Sequence, residues 1–174
     1  RLAATMALDA HDLPTAHAWL EAHDRWLAWS GAVLGRAEGA MGWAAYHHAD
    51  SDPTSARIAA KQALAHASDP RQPLALLAVH RFLGQLDTEV AAFDSAAEHQ
   101  RESLALAESC AAPFERALTL LEIAKLRATQ GRIADARALV AEVRAICEPL
   151  EAKPTLERVA ALEQQLSGIG ASNA

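Results

Sequence analysis

PFERALTLLEIAKLRATQGRIADARALVAEVRAICEPLE, residues 113–151, is the stretch whose reading decides the fold. Phe114, Leu118, Leu121, Lys125 and Ala128 recur at helical spacing along one side of its first half. Leu120, Ile123, Ala124 and Leu126 fill the adjoining side. An apolar arc that wide belongs to a helix sandwiched between neighbours. Gly131 offers the positive φ that ends a helix without a Cβ penalty. Ile133, Ala136, Leu139, Val140 and Val143 then resume the helical period. One such hairpin cannot bury its own apolar faces, so it is expected to be one unit of an array.

A 40-residue offset carries that array through the chain: Ala16, Ala56, Ala96 and Ala136 share one column, and Ala4, Ala44, Gly84 and Ala124 another. A third holds Met6, Tyr46, Leu86 and Leu126, and a fourth, just after the turn, Leu13, Pro53, Phe93 and Ile133. Small residues at facing positions let two helices approach closely, which is the physical reason to expect them in the first two columns. The predicted fold is all-α, a right-handed α-solenoid of about four helical hairpins closed by a C-terminal capping helix. The units run over about 1–31, 32–71, 72–112 and 113–151, the cap helix over 155–167, and residues 168–174 form a linker-like tail. The helical repeat domain thus spans 1–167.

Punctuation along the chain agrees with these boundaries. His11-Asp12 and Asp50-Ser51-Asp52 make turns, with Asp52 as N-cap and Pro53 at the first helical position. Pro73 and Pro113 open later units, and Lys153-Pro154 precedes the cap, with Thr155 as its N-cap. The turn near Val90–Ala92 has no glycine. The first helix of unit three is expected to reach about Thr88.

Composition narrows the class. Of the 174 residues 51% are hydrophobic and only 5% aromatic, which suits helix rather than sheet. A net charge of −6 offers nucleic acid no attractive field. No apolar run approaches the roughly 18 residues of a membrane span. No secretory signal pattern opens the chain, so the expected location is the cytoplasm. The first residue is not Met, and the chain reads as a segment of a longer protein. Cys110 and Cys147 lack metal-ligand spacing and read as reduced thiols.

The hairpin grammar resembles tetratricopeptide repeats: a small residue within the first helix, Gly at the turn, Ala early in the second helix, and proline closing the unit. Ala124, Gly131, Ala136 and Pro149 or Pro154 match it in the fourth unit. Leu83-Gly84, Ala96 and Pro113 match in the third, and Ala44, Ala56, Ala63-Leu64 and Pro70 in the second. The longer step resembles the repeat region of bacterial LuxR-type (MalT-like) transcriptional regulators. AHAWLEAHDRWLAWSGAVLGRAEG, PRQPLALLAVHRFLG and CAAPFERALTLLEIAKLRATQGR carry that likeness. It implies an ATPase-like module upstream and a DNA-binding helix-turn-helix downstream as neighbouring domains. Neither a phosphate-binding G-x-x-x-x-G-K-[ST] loop nor a separate helix-turn-helix occurs within these residues.

Catalytic constellations are not evident. His11, His17 and His23 are six apart and fall on different helical sides. His47-His48 with Asp50 and Asp52 read as a solvated, capped helix end rather than a cation site. No nucleophile stands beside a base and its orienter, so no catalytic, cofactor-binding or metal residue is assigned and no cofactor is expected. Trp19, Trp26, Trp29 and Trp43 are expected to pack between the first two units.

In solenoids of this type the first helix of each hairpin lines the concave surface. Three columns should point there: Met41, Arg81 and Leu121; Ala45, Gln85 and Lys125; His48, Thr88 and Ala128. Met41, Ala45, His48, Arg81, Gln85, Thr88, Leu121 and Lys125 are the candidate binding residues. Arg81 and Lys125 would suit an extended peptide carboxylate or an acidic effector. The function expected is a non-catalytic protein-interaction or effector-sensing module of a transcriptional regulator. Its rivals are a free-standing peptide adaptor and a helical fragment of an enzyme. No direct nucleic acid or membrane contact is expected.

Overall fold

In the computed structural model, which describes residues 2–172, the chain is all-α. The helices are α1 (Leu2–Asp9), α2 (Leu13–Ser30), α3 (Arg36–Ala49), α4 (Pro53–Ser68), α5 (Pro73–Glu89), α6 (Phe93–Ser109), α7 (Pro113–Thr129), α8 (Ile133–Cys147) and α9 (Lys153–Ser172). No strand occurs among the described residues.

The helix starts keep a beat of 20 residues: 13, 53, 73, 93, 113, 133 and 153. The turns explain it. His11, Ser51, Ala91, Ala111, Gly131 and Glu151 all have positive φ, between 48° and 74°. At each, the N–H of the left-handed residue donates to the carbonyl three residues back, at 3.0–3.1 Å. The next N–H donates to the carbonyl five back, at 2.8–3.2 Å. This is the Schellman arrangement, which satisfies carbonyls that a helix end leaves open. The residue after the left-handed one then serves directly as N-cap of the following helix. One residue of reversal therefore closes one helix and opens the next. Only Gly131 among the six is a glycine, so a glycine search finds one turn of this set.

Two junctions depart from this turn. Gly31 ends α2 with a single bond to the Leu27 carbonyl, and Gly35 also has positive φ. The loop between them delays α3 to Arg36, three residues past the expected 33. At the α4–α5 junction the Gln72 N–H still reaches the Ala67 carbonyl, at 2.8 Å.

Caps differ in chemistry. Asp12 and Asp52 accept from the N–H groups of Thr15 and Ser55, whereas Ala92, Ala112 and Arg132 have no side-chain cap bond. The cap helix corrects two expectations. It begins at Lys153, with Thr155 buried in its first turn rather than capping it. It also continues to Ser172, so 168–172 are helical where a linker-like tail was expected. The last two positions of that tail, 173 and 174, lie outside the described residues.

The chain divides into two compact units, Arg1–Phe82 and Leu83–Ala174, with the division inside α5. In unit 1, α1 packs on α2 and α3, α2 on α3, and α3 on α4. In unit 2, α6 packs on α7, α7 on α8 and α9, and α8 on α9. Ala16, Ala56, Ala96 and Ala136 are all fully buried, as are Ala44 and Ala124. The core of unit 1 is dominated by alanine; α4 alone buries Ala56, Ala59, Ala60, Ala63 and Ala67. The core of unit 2 is bulkier, with Leu120, Leu121, Val140, Val143, Val159, Leu162 and Leu166 in one cluster. Arg144 ties α8 to α9 through a two-pronged bond to Glu163, at 2.6 and 3.4 Å, which raises the already high pKa of its guanidinium.

The turn geometry makes a signed prediction. Ala91→Gly and Ala111→Gly relieve a left-handed alanine and are each expected to stabilise the chain by about 0.5–1 kcal/mol. Gly131→Ala meets no atom within 4 Å. Its cost is therefore backbone strain alone, about 1 kcal/mol. Denaturant midpoints at unchanged slope will check all three; destabilisation by either glycine variant would contradict the turn assignment.

The two aspartate caps make a second. Bonds from the Thr15 and Ser55 side chains and backbones hold the Asp12 and Asp52 carboxyls below their ordinary value. A depressed folded value means stability that is present above the unfolded pKa, about 4, and is lost as pH falls through the folded one. Asn caps without ionising. Asp12→Asn/Asp52→Asn should therefore flatten the acid limb of a melting temperature–pH curve below about pH 4. An unchanged acid limb would refute it.

Candidate functional site

Unit 1 contains a cleft of about 580 Å³ walled by α1, α2, α3 and the start of α5. Leu2, Ala4 and Leu8 come from α1, Leu20 and His23 from α2, Met41, Gly42 and Ala45 from α3, and Ala75 and Ala78 from α5. Asp9 and Glu38 are its charged lining residues. The cleft exists because the wall residues are small. In the 40-residue register Gly39 and Gly42 of α3 correspond to Thr119 and Glu122 of α7, and Ala78 to Leu118. Where unit 2 has side chains, unit 1 has space.

The two glycines also admit side chains from α2. A Cβ on Gly42 would lie 2.5 Å from Leu20 Cδ2, and one on Gly39 2.9 Å from the His23 ring. Leu20 and His23 thus cross the α3 backbone to reach the cleft wall. His23 Nδ1 is buried there without a hydrogen-bond partner. Sequence reading weighed His23 only in a series of histidines and did not single out Leu20, Gly39 or Gly42. The available signal was Gly39 and Gly42 at i, i+3 spacing, which share one helix face and leave it bare.

Of the eight candidate residues, Met41 and Ala45 line the cleft. His48 stands outside it, edge-on to Phe82 with centroids 5.8 Å apart. Arg81 is half-buried and already engaged in a contact of its own. The other four belong to unit 2. Gln85 donates to Glu89 Oε1 at 3.0 Å, and Thr88 Oγ1 to the Gly84 carbonyl at 2.8 Å. Leu121 is fully buried in the unit 2 core, so it presents no side chain to a ligand and corrects the expectation that its column faces outward. Lys125 Nζ donates to Glu122 Oε1 at 2.9 Å, and Arg158 Nη2 from α9 reaches the same oxygen at 2.8 Å. Glu122 is buried, so its charge is held by those two cations.

A second cavity, of about 530 Å³, lies in unit 2 between α6 and α7. Asp94, Glu98, Arg101 and Arg127 surround its apolar residues Ile123 and Leu126. Elsewhere between α6 and α7 the Ser103 and Thr119 hydroxyls pair at 2.9 Å, both fully buried. The lining of the unit 2 cavity is more polar than that of the unit 1 cleft.

The tryptophans depart from expectation. Trp43 packs: its Nε1–H donates to Asp24 Oδ2 at 2.7 Å, and its ring meets His17, Tyr46 and His47 with centroids 5.1–5.9 Å apart. Trp19, Trp26 and Trp29 do not pack between hairpins; they are 49%, 52% and 84% exposed. His47 stacks on Trp43, with centroids 5.9 Å apart. Among the described residues no group of three or more His, Cys, Asp or Glu side chains could hold a metal ion. Both cysteines are free, and burial pushes the Cys147 thiol up.

The Glu122 contacts change how Lys125 should be probed. Lys125→Glu places a second carboxylate beside a buried one, and a loss on the order of 1–2 kcal/mol is expected. Lys125→Gln should cost less, because it withdraws a partner without adding repulsion. Equal melting temperatures for the Glu and Gln variants would show that the Lys125–Glu122 contact does not hold in solution. No family model matches the chain, and no curated protein matches it.

Proposed function

We propose that this chain is a helical-repeat module for recognising a small apolar effector or an apolar segment of a partner, without catalysis of its own. The observation that carries this reading is the unit 1 cleft. It is concave, largely apolar, and contains two residues, Met41 and Ala45, that the repeat register assigns to the ligand-facing surface. A right-handed solenoid of tetratricopeptide-like hairpins is the architecture that this reading assumes. Its support is the recurrent turn, the buried alanine column, and the α1–α3 and α7–α9 contacts between alternate helices. On the resemblance of its three stretches to LuxR-type regulators, we assign the module to a cytoplasmic transcriptional regulator. In that assignment ATP and DNA are handled by neighbouring domains. No helix among the described residues is long and apolar enough to cross a membrane.

The test uses Nile red, a neutral apolar dye, titrated into the chain with fluorescence readout. Ala45→Trp fills the cleft and should weaken dye binding by about tenfold or more, as expected for loss of an apolar site. Its circular dichroism spectrum should be unchanged. A Trp19→Ser/Trp26→Ser chain separates dye in the cleft from dye on surface tryptophans. Binding that ignores Ala45→Trp would sink the cleft as the recognition site. The chain alone should neither shift duplex DNA in a gel nor release phosphate from ATP; either activity would overturn the division of labour.

A further inference from the structure

The unit 2 cavity between α6 and α7 sits at the one junction that lacks a bridging side chain. Directly after the buried alanine of each second helix stands His17, Arg57, Ala97 or Arg137. Three of these four are long and polar. Two are seen to cross to the following helix within their own unit. His17 meets the rings of Trp43 and Tyr46, with centroids 5.1 and 5.4 Å apart. Arg137 Nη2 donates to the Leu166 carbonyl of α9 at 3.1 Å. In the 40-residue register Leu166 corresponds to Leu126, and Ala97 and Leu126 both line the cavity. The α6–α7 junction therefore has the space and the carbonyl of the α8–α9 junction without the arginine.

We propose that this cavity takes an alkylguanidinium, the chemistry of an arginine side chain, supplied from outside the chain. The first argument is the acceptor. The Leu126 carbonyl receives the Gln130 N–H at 3.1 Å, and a carbonyl oxygen has a second lone pair. It lies in the last turn of α7, where the helix dipole favours a cation. The second is charge. Asp94 and Glu98, three positions before Ala97 and one after it, both line the cavity. Their counterparts are Ala134 and Ala138 in α8, Thr54 and Ile58 in α4, and Pro14 and Ala18 in α2. Carboxylates thus occupy these two positions only at the junction whose own cation is missing. The third is the rest of the lining. Ile123 and Leu126 offer apolar surface to the methylene stem that carries a guanidinium. The cations already present are turned to their own helices. Arg101 Nε donates to the Ala97 carbonyl at 3.3 Å, and Arg127 Nη1 to Gln130 Oε1 at 3.0 Å. Neither of these bonds does for Leu126 what Arg137 does for Leu166.

The test is an NMR titration of the chain with millimolar ethylguanidinium, read at the amides of Ala97 and Gln130. Saturable shifts are expected at both, about threefold or more tighter than with ethylammonium, which lacks the planar fork of donors. Asp94→Asn/Glu98→Gln should weaken binding by about threefold or more, as expected for partly exposed charges. Ala97→Arg supplies the group from the chain itself, so it should abolish the Gln130 shift and raise the melting temperature. Ala97→Met fills the cavity without a guanidinium and should abolish the shift as well. Circular dichroism verifies that the variants fold. Free arginine and arginine capped at both ends separate two sources of the same chemistry. Tighter binding of the free form marks a small molecule, and equal or tighter binding of the capped form marks an arginine of a partner chain. Shifts that do not saturate, that ethylammonium matches, or that persist in Ala97→Met would overturn the proposal. The outcome is separate from the Nile red titration, which reads the unit 1 cleft.

Discussion

The single left-handed residue at six of the helix junctions is the constraint on which the rest of this structure depends. It lets a helix end, reverse and restart within two positions while the Schellman bonds satisfy the carbonyls left behind. That fixes the 20-residue beat, and the beat fixes which residues meet. Ala16, Ala56, Ala96 and Ala136 all fall at the same point of a second helix, and all are buried without remainder. A longer loop breaks the rhythm, as the Gly31–Gly35 segment does before α3.

With the beat set, side-chain volume decides what each unit becomes. Alanine at a crossing brings helix axes together, and a bulky residue elsewhere must then fill the space beside it. Unit 2 does so with Leu121, Val140 and Val143, and with the buried Ser103–Thr119 pair. Unit 1 has Gly39, Gly42 and Ala45 at comparable places and retains a cleft that Leu20 and His23 only partly close. The same backbone plan thus yields a packed unit and a unit with room for a guest.

Charge plays a positional part. Arg144 and Glu163 fix α8 against α9, and Arg158 with Lys125 neutralise the buried Glu122 that α7 presents to α9. These groups hold neighbouring helices in register. A buried carboxylate without its cations would be far costlier than the same site filled by hydrocarbon, so the contacts act as a lock on one arrangement.

The sequence by itself determined that the chain is helical, where most helices start, and which alanines are buried. Those properties follow from periodicity, proline placement and small-residue columns, all of which are local or repeat along the chain. It also marked Met41 and Ala45, which line the unit 1 cleft. Only the tertiary structure decided the rest. Five of the six Schellman turns use His, Ser, Ala or Glu at the left-handed position, so residue type does not announce that conformation; the positive φ follows from the two helices it joins. Leu121 shares a column with Met41 yet is buried, because bulk around it in unit 2 closes what unit 1 leaves open. Trp19, Trp26 and Trp29 look like core by composition and are exposed, because no helix among the described residues covers that flank of α2. Burial depends on what arrives from elsewhere in the chain, and a periodic pattern gives the direction of a side chain without its neighbour.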